Sequence, residues 1–247
     1  METISLKIHP QILDLYEVLE QNGLHRQKEE VQSLVGYIEN MEYNLSAMMN
    51  EIQEMHTQVN RLNDRGLRAQ CSKIVSKAEE KIRQAKTMVS VAKVKTIQSA
   101  RNAVKTFQEK GRSALVQAVQ AMRIPAALEH LKSGMHRSAE AMRDSVGRID
   151  AMREELHEVG RHLKNAGRTL FGKPTREAEK LDADKGALSM LRRFMEGAGS
   201  KFADMEQRAG KLISKIQGRE SVKSELQVLM SERCKGAKAP TVHEQAR

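Results

Sequence analysis

The chain has 247 residues with no Trp, three Tyr and four Phe, so the large aromatic side chains that usually supply much of a compact core are scarce. Ala, Met, Leu, Lys, Arg, Glu and Gln dominate, all strong helix formers, and the β-branched and aromatic runs expected of strands are missing; the predicted fold class is all-α. The net charge of +10 hides a division, because residues 1–64 hold 4 Lys plus Arg against 11 Asp plus Glu, a net of −7, which leaves +17 on the remaining 183 residues.

The N-terminal stretch METISLKIHPQILDLYEVLE carries acidic residues where a signal peptide needs a basic region followed by continuous apolar sequence. The longest uncharged run near the middle, residues 113–122, is half the ~20 residues of a spanning helix. A soluble, cytoplasmic protein is expected. Cys71 and Cys234 lie far apart and in no metal-ligand spacing, and read as free thiols in a reducing compartment.

Four prolines, Pro10, Pro125, Pro174 and Pro240, punctuate the chain at points where each can open a helix but would break its interior. Pro10 opens a short helix with an apolar face of Ile12, Leu15, Tyr16 and Leu19, and Asn22-Gly23 supplies a left-handed C-terminal cap. The next helix starts near His25. Its apolar residues Val31, Leu34, Ile38, Met41, Leu45, Met48, Ile52, Met55, Val59 and Leu62 alternate in steps of three and four, a heptad seam that predicts supercoiling against another helix. Asn63, Asp64 and Gly66 interrupt it as a turn or a weak point.

From Arg65 the apolar and small positions run Ile74, Ala78, Ile82, Ala85, Val89, Ala92, Thr96, Ala100, Val104, Phe107, Gly111, Leu115, Ala118 and Met122, an average step of about 3.7 that fits a straight amphipathic helix. If unbroken to Ile124, it would extend ~90 Å. Ile124-Pro125 ends it. A second heptad seam follows: Leu128, Leu131, Met135, Ser138, Met142, Ser145, Ile149, Met152, Leu156, Val159, Leu163, Ala166 and Leu170, stopped by Phe171-Gly172-Lys173-Pro174. Asp182 and Asp184 are candidate N-caps for a third seam of Leu188, Leu191, Met195, Ala198, Phe202, Met205, Ala209, Leu212 and Ile216, which runs to Gly218. A short helix from Ser221 to about Arg233 and a frayed tail complete the chain.

Short stops make consecutive helices antiparallel neighbours, so the expected architecture is an elongated antiparallel helical bundle with coiled-coil segments. Its parts are an acidic N-terminal segment (1–64, with the heptad helix at 25–62), a long basic amphipathic helix (65–124), two heptad helices (125–172 and 173–218) and a short helix with its tail (219–247), all in one continuous bundle. Ala, Ser and Gly are frequent in the later seams and bury little area each, a shortfall that self-association would repair.

The segments KEEVQSLVGYIENME (28–42), MRIPAALEHLKSGMHRSAEAM (122–142), ELHEVGRHLKNAGRTLFGKP (155–174) and DKGALSMLRRF (184–194) resemble an uncharacterised family of helical proteins from Gram-positive gut bacteria, a domain of unknown function often carried on conjugative or other mobile elements. The resemblance implies an intracellular bacterial protein and carries over no functional residues.

Gly167-Arg-Thr-Leu-Phe-Gly172-Lys173-Pro174 matches most of a phosphate-binding loop, but Pro174 stands where that loop needs Ser or Thr, and helix precedes it where a strand is required; a helix stop is the better reading. Glu154-x-x-His157 has the spacing of a di-iron half-site without a second pair, and His130, His136 and His162 form no cluster with Cys or Asp. No Ser or Cys sits in a nucleophile motif. These patterns predict no catalytic residues, no metal, no cofactor and no small-molecule substrate; the protein is not expected to be an enzyme. Most of the 14 Met fall on seams, where core packing is their default role.

The densest charge lies at 65–123, with 14 basic residues against Glu79, Glu80 and Glu109. Lys73, Lys77, Lys81, Arg83, Lys86, Lys93, Lys95, Arg101, Lys105 and Arg112 are candidate contacts for an acidic partner or for nucleic-acid phosphates, although no aromatic platform accompanies them. The leading expectation is a non-catalytic scaffold that forms homo-oligomers or packs on partner helices. The alternatives are a sequence-nonspecific nucleic-acid-binding accessory protein using 65–124, and a peripheral protein on anionic membrane, against which the low aromatic content weighs.

Overall fold

The computed structural model describes residues 5–174 and 186–236, with side chains as far as Gly218. A 3-10 turn (Leu6–Ile8) leads into six α-helices: α1 (Pro10–Gln21), α2 (His25–Asn60), α3 (Arg65–Lys110), α4 (Arg112–Ala121), α5 (Ile124–Leu170) and α6 (Ala187–Gly236). No strand occurs among the described residues, in keeping with the all-α expectation.

The helix ends are set by local chemistry. Pro10 stands in the first turn of α1, where its missing N–H leaves no bond unmade. Beyond α1, Gly23 adopts φ +66°, the left-handed conformation expected at that cap. The interruption after Leu62 is a true turn: the Asp64 carboxylate accepts from the Leu67 backbone N–H at 2.8 Å and caps α3. Pro125 lies in the first turn of α5.

Two boundaries differ from expectation. The single helix predicted over 65–124 is two helices, because Gly111 takes φ +78° and ψ −165°, a conformation essentially restricted to glycine, and the chain changes direction between α3 and α4. Conversely, no break occurs at Gly218. α6 continues through it to Gly236, since glycine weakens a helix by about 1 kcal/mol yet keeps the N–H the hydrogen-bond ladder needs. Asp182, Asp184 and the tail from residue 237 lie outside the described residues.

Long helices pack antiparallel in sequence order, α2 on α3, α3 on α5 and α5 on α6, and α6 closes against α2. The pairs His56–Glu79 (2.8 Å) and Lys93–Glu42 (2.9 Å) fix the register of α2 on α3. Asp150–Arg192 (2.7 Å) and His136–Glu206 (3.2 Å) do so for α5 on α6. Tyr37 donates its hydroxyl to the Met205 carbonyl at 2.8 Å, tying α2 to α6, and burial pushes its phenol upward.

The predicted seams form the core. On α2 every seam position from Val31 to Ile52 is buried, and on α6 Leu191, Met195, Ala198, Phe202, Met205, Ala209 and Ile216 are buried. Small residues let α5 and α6 approach closely: a Cβ on Gly199 would stand 3.3 Å from the Met142 Cβ. The acidic N-terminal segment folds onto the basic helix, with α1 and α2 both packed on α3. Beside it, Glu39 accepts from the Lys7 backbone N–H at 2.9 Å and from the Ser5 hydroxyl. Burial, with Glu39 nearby, pushes Tyr16 up to about 12.

Candidate interaction surfaces

α3 presents its apolar stripe to the bundle and its cations to the opposite arc, because the stripe repeats near the helical period and the charged residues fill the positions between. Lys73, Lys77, Arg83, Lys86, Lys95, Arg101, Lys105 and Arg112 are exposed, and Lys81 is half-buried. Lys93 departs from the expected set. It is buried, and its ammonium donates to both oxygens of Glu42 at 2.9 and 3.1 Å, so it neutralises the acidic segment internally and cannot meet an outside partner. Arg83 reaches Glu79 at 2.6 Å, Lys105 lies 3.8 Å from Glu109, and Lys81 donates to Gln84 at 3.3 Å. Lys73, Lys77, Lys86, Lys95 and Arg101 remain on the outer arc, and Arg112 opens α4 beyond the Gly111 break, all with no anionic side chain in bonding distance among the described residues.

Between α3 and α5 lies an open groove of about 430 Å³, made where the facing residues Ser76, Ala78, Ala141 and Ser145 are small. Lys77, Lys81 and Arg148 edge it, and Glu80 and Asp144 offset them, so its charge is mixed.

The phosphate-loop-like run is a helix stop. The backbone N–H groups of Phe171, Gly172 and Lys173 donate to the carbonyls of Arg168, Thr169 and Arg168 at 3.1, 3.0 and 2.9 Å, and Gly172 takes φ +68°. Those donors are spent closing the C-terminus, the end of a helix dipole that repels phosphate. Glu154 is exposed and His157 half-buried; His130 and His162 are exposed, while His136 pairs with Glu206. No group of three or more His, Cys, Asp or Glu among the described residues is placed to hold a metal ion. Cys71 is a buried free thiol, pushed up by burial. No helix among the described residues is long and apolar enough to cross a membrane.

The second surface was hidden inside an expected seam. The α5 heptad is buried from Leu128 through Met152, but its continuation is not: exposure is 43% at Leu156, 56% at Val159, 70% at Leu163 and 85% at Leu170, with Phe171 at 82%. The α5–α6 register sets Ala187, the first residue of α6, level with Glu155. The α3–α5 contact, where a Cβ on Gly134 would meet Met88, sets Arg65 level with about residue 157. Residues 158–170 therefore project past both neighbouring helices by about 20 Å at the standard rise. The periodicity marks these residues as seam; only helix register shows that no helix among the described residues stands opposite them.

Long antiparallel helices whose exposed chemistry lies on outer arcs and a projecting end define this molecule as an all-α bundle protein. The chain belongs to a family of unknown function, DUF6674, whose model matches residues 9–247. No curated protein and no solved structure matches the chain.

Proposed function

We propose that the protein is a non-catalytic helical interaction protein, a scaffold or accessory factor that works by packing the projecting end of α5 against another helix. The observation that carries this reading is the exposed row Leu156, Val159, Leu163 and Leu170, which continues without a slip the same heptad that buries Leu128 to Met152 inside the bundle. Apolar side chains at strict 3,4 spacing are what a coiled-coil partner covers, and on an isolated bundle they leave apolar area in water. An intracellular role within a mobile element's machinery fits the family resemblance and belongs to the same proposal.

The test is photo-cross-linking in cells of the full chain carrying Leu163→p-benzoylphenylalanine. A discrete adduct, lost when Leu156 and Leu170 are also changed to Ser, is expected. A chain that stays uncross-linked although it is folded by circular dichroism overturns the reading.

A second reading is favoured by the outer arc of α3. Lys73, Lys77, Lys86, Lys95 and Arg101, with no carboxylate in bonding distance among the described residues, could neutralise several phosphates of a nucleic acid without reading its sequence. Duplex binding would then weaken steeply between about 50 and 200 mM salt. Lys73→Glu/Lys77→Glu/Lys86→Glu would abolish it, and equal binding by that triple variant removes the idea.

A further inference from the structure

We propose that the face shared by α2 and α3 binds single-stranded nucleic acid, with Tyr43 stacking on a base between phosphates held by Lys86 and Arg101. This rests on the second reading above and names the form of nucleic acid the site takes. Along the sequence no aromatic platform accompanies the cations of α3; the fold brings one from α2.

The register of the two helices places these groups together. Glu79 and Lys93 pair with His56 and Glu42 of α2, and Lys86 lies seven residues from each, so it stands on the stripe of α3 that borders α2. The same two pairs set Tyr43 level with about residue 92 of α3. Lys86 and Arg101 therefore lie about 9 and 14 Å along the axis to either side of Tyr43 at the standard rise. Val94, seven residues before Arg101, falls between them and is 63% exposed.

Tyr43 is 76% exposed, a ring that takes no part in the core. The other two tyrosines are held by the fold: Tyr37 is buried and donates to the Met205 carbonyl, and Tyr16 is half-buried. The carboxylates within a turn of Tyr43 that would repel a phosphate are neutralised internally, Glu39 by Lys7 at 3.1 Å and Glu42 by Lys93. Residues 81–108 of α3 include no carboxylate at all.

This set of groups discriminates between strands. Phosphates are open to Lys86 and Arg101 in a duplex and in a single strand alike, but a duplex keeps its bases stacked and paired, whereas a single strand offers a base face to Tyr43. An acidic polypeptide would meet the same cations without needing a planar ring between them.

The chain has no Trp, so its intrinsic fluorescence is that of its three tyrosines and stacking on Tyr43 is read as quenching. The test is a titration of the full chain at about 50 mM salt with an oligothymidine of about twelve nucleotides, and with a duplex of the same length. The oligothymidine is expected to bind more tightly than the duplex and to quench. Tyr43→Ala should weaken oligothymidine binding about tenfold and leave duplex binding and the melting temperature unchanged. Tyr43→Phe should keep the binding and lose the quenching, and Lys86→Glu/Arg101→Glu should abolish both.

Oligothymidine binding that is indifferent to Tyr43→Ala, or a preference for the duplex, overturns the proposal and leaves the charge reading standing. Binding of neither form at that salt removes both. Quenching by polyglutamate as strong as that by oligothymidine overturns the proposal in favour of an acidic protein partner.

Discussion

Among single residues, Lys93 shows how burial reverses a reading of charge. In the sequence it is one cation among ten on a helix, but its spacing of four from Val89 and three from Thr96 puts it on the buried stripe, where an unpaired ammonium would be untenable. Glu42→Ala strands that ammonium and is expected to cost about 1–2 kcal/mol, less than a fully buried pair because Glu42 is part-exposed; Lys93→Met, which removes the charge and fills the site, should change stability by under about 1 kcal/mol. Paired urea melts of the two variants check this asymmetry. Acid sensitivity belongs to the same scale. The hydrogen bond and charge of His56, with help from Arg83, hold Glu79 below its ordinary 4.5 despite partial burial. At Glu39, burial pushes upward but is outweighed by hydrogen bonds from Ser5 and Lys7, so it too sits low. A carboxylate with a depressed folded value stabilises the fold at pH above its ordinary value and loses that contribution as pH falls through the folded one. The melting temperature should thus hold between about pH 7 and 5 and fall below about 4, and Glu39→Gln should flatten part of that fall; a pH series of thermal melts decides it.

Helices place the seam, and helix register decides which part of a seam is core. Met135 and Leu163 stand on one α5 heptad, yet the first is fully buried and the second largely exposed. Met135→Ala should cost roughly 2–5 kcal/mol and Leu163→Ala less than about 0.5 kcal/mol measured as a monomer, a contrast that denaturant unfolding resolves. Gly111 separates α3 from α4 by a conformation no other residue accepts easily. Gly111→Ala is expected to cost about 1–3 kcal/mol, and a neutral effect would mean that the two helices can merge. That break was not legible in the sequence, because glycine at a seam position also satisfies an amphipathic pattern.

At the scale of the molecule, charge acts as a field more than as pairs. Among the described residues, Lys93 alone of the ten candidate cations is taken up by the acidic segment, and the outer arc of α3 stays strongly positive in a protein of net charge +10. Repulsion along that arc opposes folding and is screened within about 10 Å at 0.1 M salt. Raising sodium chloride from about 20 to 300 mM should therefore raise the melting temperature by a few degrees, read by circular dichroism; a fall would mean that the surface ion pairs dominate.

Composition and periodicity by themselves determined the all-α class, the seams that became the core, the cap at Gly23 and the helix start at Pro125, because each depends on residues within a few turns of one another. The tertiary structure alone decided that Lys93 is internal, that the acidic segment folds onto α3, and that α5 outruns both neighbours by about 13 residues. These depend on where one helix ends beside another, and hydrophobic spacing repeats identically whether a partner stands opposite or not.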